Sequence, residues 1–330
     1  MESVGIPPAE HTPSPLRRED IATWHPWRKG PSDIILECAG GPVARLAYAT
    51  YLHWPLRRGR RYLPWVIGRI PGLSHQVRHA LFRSRFGGTA RLDMTTRQFH
   101  YLTGLFPPEP HELSLMARLV RRGDTFIDVG ANVGLYLVHL IGLVGSGGRY
   151  LAFEPDPDNF RFLKEAYSDL CSAEILDIAI SDKKGVARLT RKNSLEGTLE
   201  PIAGVGDTVE VETRTLNEII VDLHCKGPLV MKIDVEGHEP AVIRGMSGLM
   251  NRGLLPIMQI EYLPTNAGEH RRQIDLALHD IFGTKLSYYG ITNNEQLLFP
   301  MKLGQPVDDD VLNILTVPPE MKGRVDDLFS

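Results

Sequence analysis

The sequence predicts an α/β fold: a mostly parallel sheet with helices on both faces. Three observations lead there. Two phrases about a hundred residues apart, Phe126-Ile-Asp-Val-Gly-Ala-Asn-Val-Gly134 and Met231-Lys-Ile-Asp-Val-Glu-Gly-His-Glu239, are short apolar strands that run into acidic residues and glycine. Each is followed by a helix-like stretch. Around them strand and helix patterns alternate, which is the signature of parallel βαβ units. Right-handed crossovers then place helices on both faces, and sites form at the carboxyl ends of the strands.

Taken in order, residues 1–32 hold Pro7, Pro8, Pro13, Pro15, Pro26 and Pro31, which argue against stable helix and predict a flexible tail. Residues 33–90 read as a basic N-terminal extension. Within it, residues 34–53 are helical in part, Arg57-Arg-Gly-Arg-Arg61 is a basic knot beside Trp54, Tyr62 and Trp65, and residues 75–86 form a short basic helix candidate. The composition changes at Arg91, where the main domain, residues 91–330, is expected to begin. Residues 109–120 make a helix leading into a first strand at 125–129, which Gly130 ends. A helix over 133–144 follows, then a strand at 149–153 ending at Glu154, and a helix from Pro157. Next come a strand at 174–180, a small inserted segment with a strand at 186–190, and a fourth strand at 229–233. A helix from Glu239 and strands at 256–261, 286–289, 296–299 and 312–317 complete the domain.

The turn Gly130-Ala-Asn-Val-Gly134 lets backbone approach a ligand, because glycine has no Cβ. Its spacing matches neither the dinucleotide fingerprint nor a P-loop, and no lysine follows to hold a phosphate. Glu154 lies 24 residues beyond Gly130, near the roughly 20 expected of a carboxylate that accepts from ribose hydroxyls. Asp128, Glu154 and Asp234 are thus expected at strand ends around one crevice. Three carboxylates repel a pyrophosphate but suit a nucleoside carrying a sulfonium and an ammonium group, such as S-adenosylmethionine.

At this point the chain resembles the FkbM family of S-adenosylmethionine-dependent methyltransferases. The matching pieces are residues 123–134, Phe153-Glu-Pro-Asp-Pro-Asp-Asn-Phe160, Ala179-Ile-Ser-Asp-Lys-Lys-Gly185, Thr215-Leu-Asn-Glu-Ile219 and residues 232–239, in the family's order. Asn217 departs from the acidic residue often found there, and the resemblance covers roughly residues 91–317, leaving 1–90 outside it. The resemblance implies a Rossmann-like class I methyltransferase fold whose last strand, 312–317, runs antiparallel. It implies S-adenosyl-L-methionine as cofactor, held by Asp128, Gly130, Asn132, Gly134, Glu154, Ile180 and Asp234. It also suggests O-methylation of a hydroxyl on a small molecule or saccharide. N-methylation, a binding protein with a vestigial nucleoside pocket, and a peripheral membrane protein remain as alternatives.

The fourth strand's tip carries Asp234, Glu236, His238 and Glu239 within six positions. Asp234 is the first candidate for contact with the cofactor's amino-acid portion or the acceptor. Glu236 shares its direction, and His238 has the intrinsic pKa of a base, although a histidine at a helix start can serve only as a cap. Glu239 suits the helix N-terminus. Glu261 is a further strand-tip carboxylate. Oxygen ligands from Asp234, Glu236 and Glu261 would suit Mg²⁺, but no complete ligand set is evident, and no metal is assigned. The stretches 189–207 and 263–272 are candidates for shaping the acceptor pocket.

Net charge is −3, but residues 1–91 carry +8 and residues 92–330 carry −11. The basic, aromatic stretch 54–86 has two readings: a surface for anionic lipid or an acidic partner, or an extension whose apolar residues pack on the main domain. Prolines interrupt any long amphipathic face there, which favours the second. No nucleic-acid module accompanies the charge. Cys38, Cys171 and Cys225 are scattered and show neither disulfide nor zinc spacing, so a cytoplasmic location is expected. No apolar run reaches the length of a membrane span.

Overall fold

The computed structural model describes residues 36–53, 62–103, 109–170, 172–191, 197–199, 207–225, 227–264, 268–292 and 298–328. The tail expected over 1–32, the basic knot at 57–61 and Cys171 lie outside them.

An N-terminal lobe comes first. It contains β1 (Glu37–Cys38), α1 (Pro42–His53), α2 (Tyr62–Ile67), α3 (Ser74–Arg78), β2 (Ala80–Arg83), β3 (Thr89–Leu92), α4 (Arg97–Thr103) and α5 (Pro110–Leu119). The helix expected over 75–86 is therefore only α3; from Ala80 the chain is a strand, with Ala80 and Phe82 buried and Arg83 exposed. That alternation is a period of two, not 3.6. β1, β2 and β3 form an antiparallel sheet. The boundary expected at residue 90 falls inside β3, so the hairpin crosses it.

The main domain continues with β4 (Thr125–Val129), α6 (Leu135–Val144), β5 (Arg149–Phe153), α7 (Pro157–Ala166) and β6 (Ala173–Leu176). An insertion holds β7 (Ile178–Ile180), β8 (Gly185–Arg191), β9 (Gly197–Thr198) and β10 (Asp207–Arg214). Then come α8 (Leu216–Asp222), β11 (Leu229–Ile233), α9 (Glu239–Arg244), β12 (Ile257–Glu261), α10 (Glu269–Phe282), β13 (Ser287–Thr292), β14 (Leu298–Met301), β15 (Val311–Val317) and α11 (Lys322–Asp326). Local chemistry explains several helix starts. Asp156 accepts from the backbone N–H groups of Asp158 and Asn159 at α7, and Thr215 with Glu218 forms a capping box at α8.

Eight strands form the central sheet in the order β14-β13-β15-β12-β11-β4-β5-β6. β6, β5, β4, β11 and β12 are mutually parallel, and β15 is antiparallel to both β12 and β13. This is the Rossmann-like sheet with an antiparallel last strand. The single strand expected over 174–180 divides at Asp177: β6 joins the central sheet, while β7 pairs with β10 in a second sheet ordered β7-β10-β8-β9.

Two apolar layers cover the two faces. One contains α5 and α6 residues such as Leu113, Val138 and Leu140 together with Phe82, Leu92 and Phe99 of the lobe. The other contains Leu216, Val242 and Leu278 of α8, α9 and α10. The lobe approaches α6 closely: a Cβ on Gly88 would meet the Val138 carbonyl oxygen at 2.0 Å. Buried Ser84 and His139 also lie 3.0 Å apart, Oγ to Nδ1. Much of the extension's apolar surface thus packs on the main domain. No helix among the described residues is long and apolar enough to cross a membrane.

Candidate functional site

The strand order reverses between β4 and β11, so a crevice opens at their carboxyl ends. A cavity of about 350 Å³ lies there, a size within the usual range for small-molecule sites. Its wall includes Gly130, Asn132, Glu154, Ile180, Asp234, Glu236 and His238. These are seven of the nine residues expected from the sequence; Asp128 and Gly134 are not on the wall.

Gly130 is where the two phrases touch. Its φ is +80°, and a Cβ there would stand 2.0 Å from the Asp234 carbonyl oxygen, so the turn after β4 and the end of β11 close against one another only through glycine. Both Gly130 N–H and Ala131 N–H donate to the Phe153 carbonyl at 3.0 Å, tying the turn to the end of β5. Glu154 continues this tie. Its carboxylate accepts from Asn132 N–H at 2.7 Å and from Asp156 N–H at 2.9 Å. Burial outweighs those donors and pushes the Glu154 carboxyl up to about 8.

Asp128 sits one layer deeper than expected. It is buried and accepts a hydrogen bond from the Tyr150 hydroxyl at 2.7 Å. The reason is register: Asp128, Lys232 and Gln259 are cross-strand neighbours on β4, β11 and β12. They form a polar row at the cavity floor, where Lys232 lines the wall and Asp128 and Gln259 lie beneath it. Lys232 donates to the Gly130 carbonyl at 3.1 Å and pairs with Asp234 at 3.1 Å. Burial alone would lower the Lys232 pKa, but Asp234, Glu109 and Asp128 outweigh it and hold the ammonium well above its usual range. Tyr136 completes the floor, donating to Glu109 at 2.9 Å and accepting from Gln259 at 3.0 Å. Burial raises the Glu109 carboxyl.

The turn after β11 holds the candidate catalytic residues. Glu239 organises it: fully buried, it accepts from Val235 N–H at 2.8 Å and Gly237 N–H at 3.3 Å, and its other oxygen lies 3.0 Å from His270. Glu236 has a left-handed φ of 55°, and its carbonyl accepts from the Thr198 hydroxyl at 2.8 Å. The His238 Nε2 lies 3.0 Å from the Ser181 hydroxyl, so this ring is oriented by a neighbour rather than aimed freely at solvent. Glu261 faces the same turn. Burial, with the charges of Asp234, Glu239 and Glu236, raises its carboxyl strongly. Oxygens of Asp234, Glu239 and Glu261 lie within 4.8 Å of one another; Glu239 rather than Glu236 completes that trio. The Lys232 ammonium offsets part of the crowding.

A second, more open cavity of about 910 Å³ adjoins the first and shares Leu199, Glu236, His238 and Glu261 with it. Its other walls come from the inserted sheet, through Gly185, Val186, Ala187 and Thr213, and from α9 and α10, through Arg244, His270 and Gln273.

Residues 128–282 match the methyltransferase FkbM domain family. Over those residues the chain is similar to that family. It is 26% identical to the hexuronic acid methyltransferase AglP of Haloferax volcanii, over 46% of this chain and 62% of that one. It is also 26% identical to the 31-O-demethyl-FK506 methyltransferase FkbM of Streptomyces tacrolimicus, over 38% of this chain and 61% of that one. The chain thus spans about three fifths of the length of these curated relatives. Among solved structures, a precorrin-6y C5,15-methyltransferase from Geobacter metallireducens aligns at a TM-score of 0.36 and 12% identity, over 64% of this chain and 90% of that one.

Within the matched residues, Gly134 has a packing role. Its φ is +83°, and a Cβ there would stand 2.6 Å from the Tyr167 ring, whose hydroxyl donates to the Val133 or Gly134 carbonyl. Gly134→Ala is expected to lower stability by about 2–3 kcal/mol through strain and overpacking. Thermal unfolding checks this, and an unchanged midpoint would contradict it. Sequence reasoning missed Glu109, Tyr136 and Lys232. Lys232 did leave a signal, as a lone cation inside the apolar run Leu229–Ile233, which demands a buried partner.

Proposed function

We propose that this chain is an S-adenosylmethionine-dependent methyltransferase that O-methylates a hydroxyl of a small molecule or saccharide. The observation that carries the proposal is the junction of two cavities at Glu236, His238 and Glu261, with Glu154 on the wall of the smaller one. The residues of the smaller cavity fit the cofactor. Glu154 keeps acceptor capacity for ribose hydroxyls beyond its two backbone donors. The close-packed Gly130 turn keeps side-chain atoms out of the crevice, and Asp234 supplies negative charge for an ammonium group. S-adenosylmethionine, when bound, supplies an electrophilic methyl group on a sulfonium.

The chain's own residues do the rest. Lys232 holds Asp234 and the Gly130 carbonyl in one position, so the donor and acceptor ends of the site share a rigid floor. The larger cavity admits an acceptor along polar walls, where Ser181, Thr198, His270 and Gln273 offer hydrogen bonds to hydroxyls. An alcohol acceptor must lose its proton as it is methylated; a positioned base for that step contributes about 10²–10⁴-fold. Glu236 and His238 at the junction are the candidates, with His238 steered by Ser181. The names of the two curated relatives, one acting on a hexuronic acid and one on an O-demethyl compound, support an oxygen acceptor on a saccharide or small molecule. The scattered cysteines, of which Cys38 and Cys225 are free thiols, support a cytoplasmic location.

Mass spectrometry of metabolites from cells with and without this protein tests the proposal. A species differing by one methyl group is expected, and labelled cofactor with matched hydroxyl and amine acceptors separates O- from N-methylation. No methylated species would count against it. Asp234→Asn should leave the fold intact, because the change is nearly isosteric and Lys232 keeps the Gly130 carbonyl, Glu109 and Asp128 around it. Turnover should fall roughly tenfold or more. Normal binding with normal turnover would shift the role to Glu236 or His238.

A further inference from the structure

Among the described residues of the N-terminal lobe, one face carries three exposed apolar side chains. After α2 the helical path continues for a turn: Gly68 N–H donates to Pro64, Arg69 N–H to Val66 and Ile70 N–H to Ile67. Helical spacing therefore pairs Trp65 with Arg69 and Val66 with Ile70 on the outer side. Pro64 and Gly68 are buried on the inner side, where a Cβ on Gly68 would meet Thr95 at 2.9 Å. This pins the segment with its apolar residues outward. Trp65 is 47% exposed, Val66 46% and Ile70 41%. Isolated exposed apolar residues need no explanation, but three adjacent ones do.

We propose that this face docks on an anionic lipid bilayer. The Arg69 guanidinium lies 3.3 Å from the Trp65 ring centroid, so an amphipathic ring and a cation form one unit. Such a unit suits the headgroup boundary, where apolar bodies enter and cationic tips stay at the phosphates. The surrounding charge has the matching sign. Residues 62–103 carry six arginines, of which Arg91 pairs with Asp169, against Asp93, a net of +5, whereas residues 104–330 carry −11. Anionic lipid therefore attracts this lobe and repels the remainder, which orients the molecule. A second copy on the same face would oppose two lobes of net +5. An acidic protein would match the charge of the lobe and leave Trp65, Val66 and Ile70 without a specific role.

The test is flotation of the full chain with vesicles of phosphatidylcholine alone or mixed equally with phosphatidylglycerol. Partitioning onto the anionic vesicles should exceed that onto the neutral ones by roughly tenfold or more and weaken with salt. The Trp65→Ser/Ile70→Ser double variant should lose roughly tenfold of that partitioning with an unchanged melting temperature, since both side chains are exposed. Arg69→Glu should also reduce it. The proposal is overturned by equal or absent binding to the two vesicles, or by a folded double variant that binds as the parent does. It is overturned equally if the parent is a dimer that the double variant converts to monomer. Retention on polyglutamate without vesicle binding would assign an acidic protein instead.

Discussion

Glu154→Ala is expected to weaken binding of S-adenosylhomocysteine by roughly a hundredfold, because hydrogen bonds to a charged carboxylate are worth about 1.5–3 kcal/mol each and two ribose hydroxyls would lose their acceptor. The truncation also strips the acceptor from Asn132 N–H and Asp156 N–H, which Glu154 now holds at 2.7 and 2.9 Å. The turn after β4 and the start of α7 would loosen together. Because burial pushes this carboxyl up to about 8, the wild type should show a pH signature. Ribose hydroxyls donate to the charged form, so affinity should rise as pH increases toward about 8 and level off above it, changing by up to about tenfold per unit on the acid side. Glu154→Gln, which cannot ionise, should lack this contribution. Calorimetry across that window with both variants checks the expectation. A folded Glu154→Ala protein with undiminished affinity would remove Glu154 from the cofactor site.

What was legible in the sequence follows from which forces act locally. The strands β4, β5, β11, β12 and β15 are near-continuous apolar runs because they are buried on both faces, and glycine or acidic residues mark their ends. Their positions, and the crevice between Gly130 and Asp234, can therefore be read directly. The division at Asp177 cannot, because the apolar residues around it continue on both sides while the strand changes sheets. β10 does not stand out in the sequence although Asp207–Arg214 alternates polar and apolar residues; its neighbours, β7 and β8, are too short or too exposed to announce a second sheet. Asp128 shows the limit of motif reading. Its place in the phrase suggests a ligand contact, but strand alternation turns its side chain under the floor toward Tyr150 and Lys232. Glu109 reaches the cavity from the loop before α5, and only the tertiary fold brings it to Tyr136. The helix expected over 75–86 failed for the opposite reason: basic residues there made a helix face plausible, while the period-two burial of Ala80 and Phe82 belongs to a strand.

Lys232→Met should produce a marked loss of stability. The methionine nearly matches the lysine stem in volume, so packing is kept and the charge alone is removed. The ammonium now stands 3.1 Å from Asp234 and 3.1 Å from the Gly130 carbonyl, with Asp128 and Glu109 also facing it. Breaking a buried ion pair by removing one partner costs about 3–5 kcal/mol. Asp234 is 24% exposed in its side chain, so partial solvation should bring the loss to about 2–3 kcal/mol at neutral pH. The pH dependence gives the stronger check. Burial raises the Asp128 and Glu109 carboxyls above their ordinary values, and the Lys232 charge is the largest influence holding them down. Without it their folded-state pKa values rise further. A carboxylate raised on folding keeps its stability contribution below its unfolded pKa and loses it as pH rises through the folded one. The deficit of Lys232→Met relative to the wild type should therefore be largest in alkali and shrink toward acid, where the carboxylates take up protons. Cofactor binding should change as well, since Lys232 joins the Gly130 turn to Asp234. Denaturant unfolding at several pH values measures the deficit. A deficit that is small and independent of pH would mean that the polar row at the cavity floor is not held by this cation.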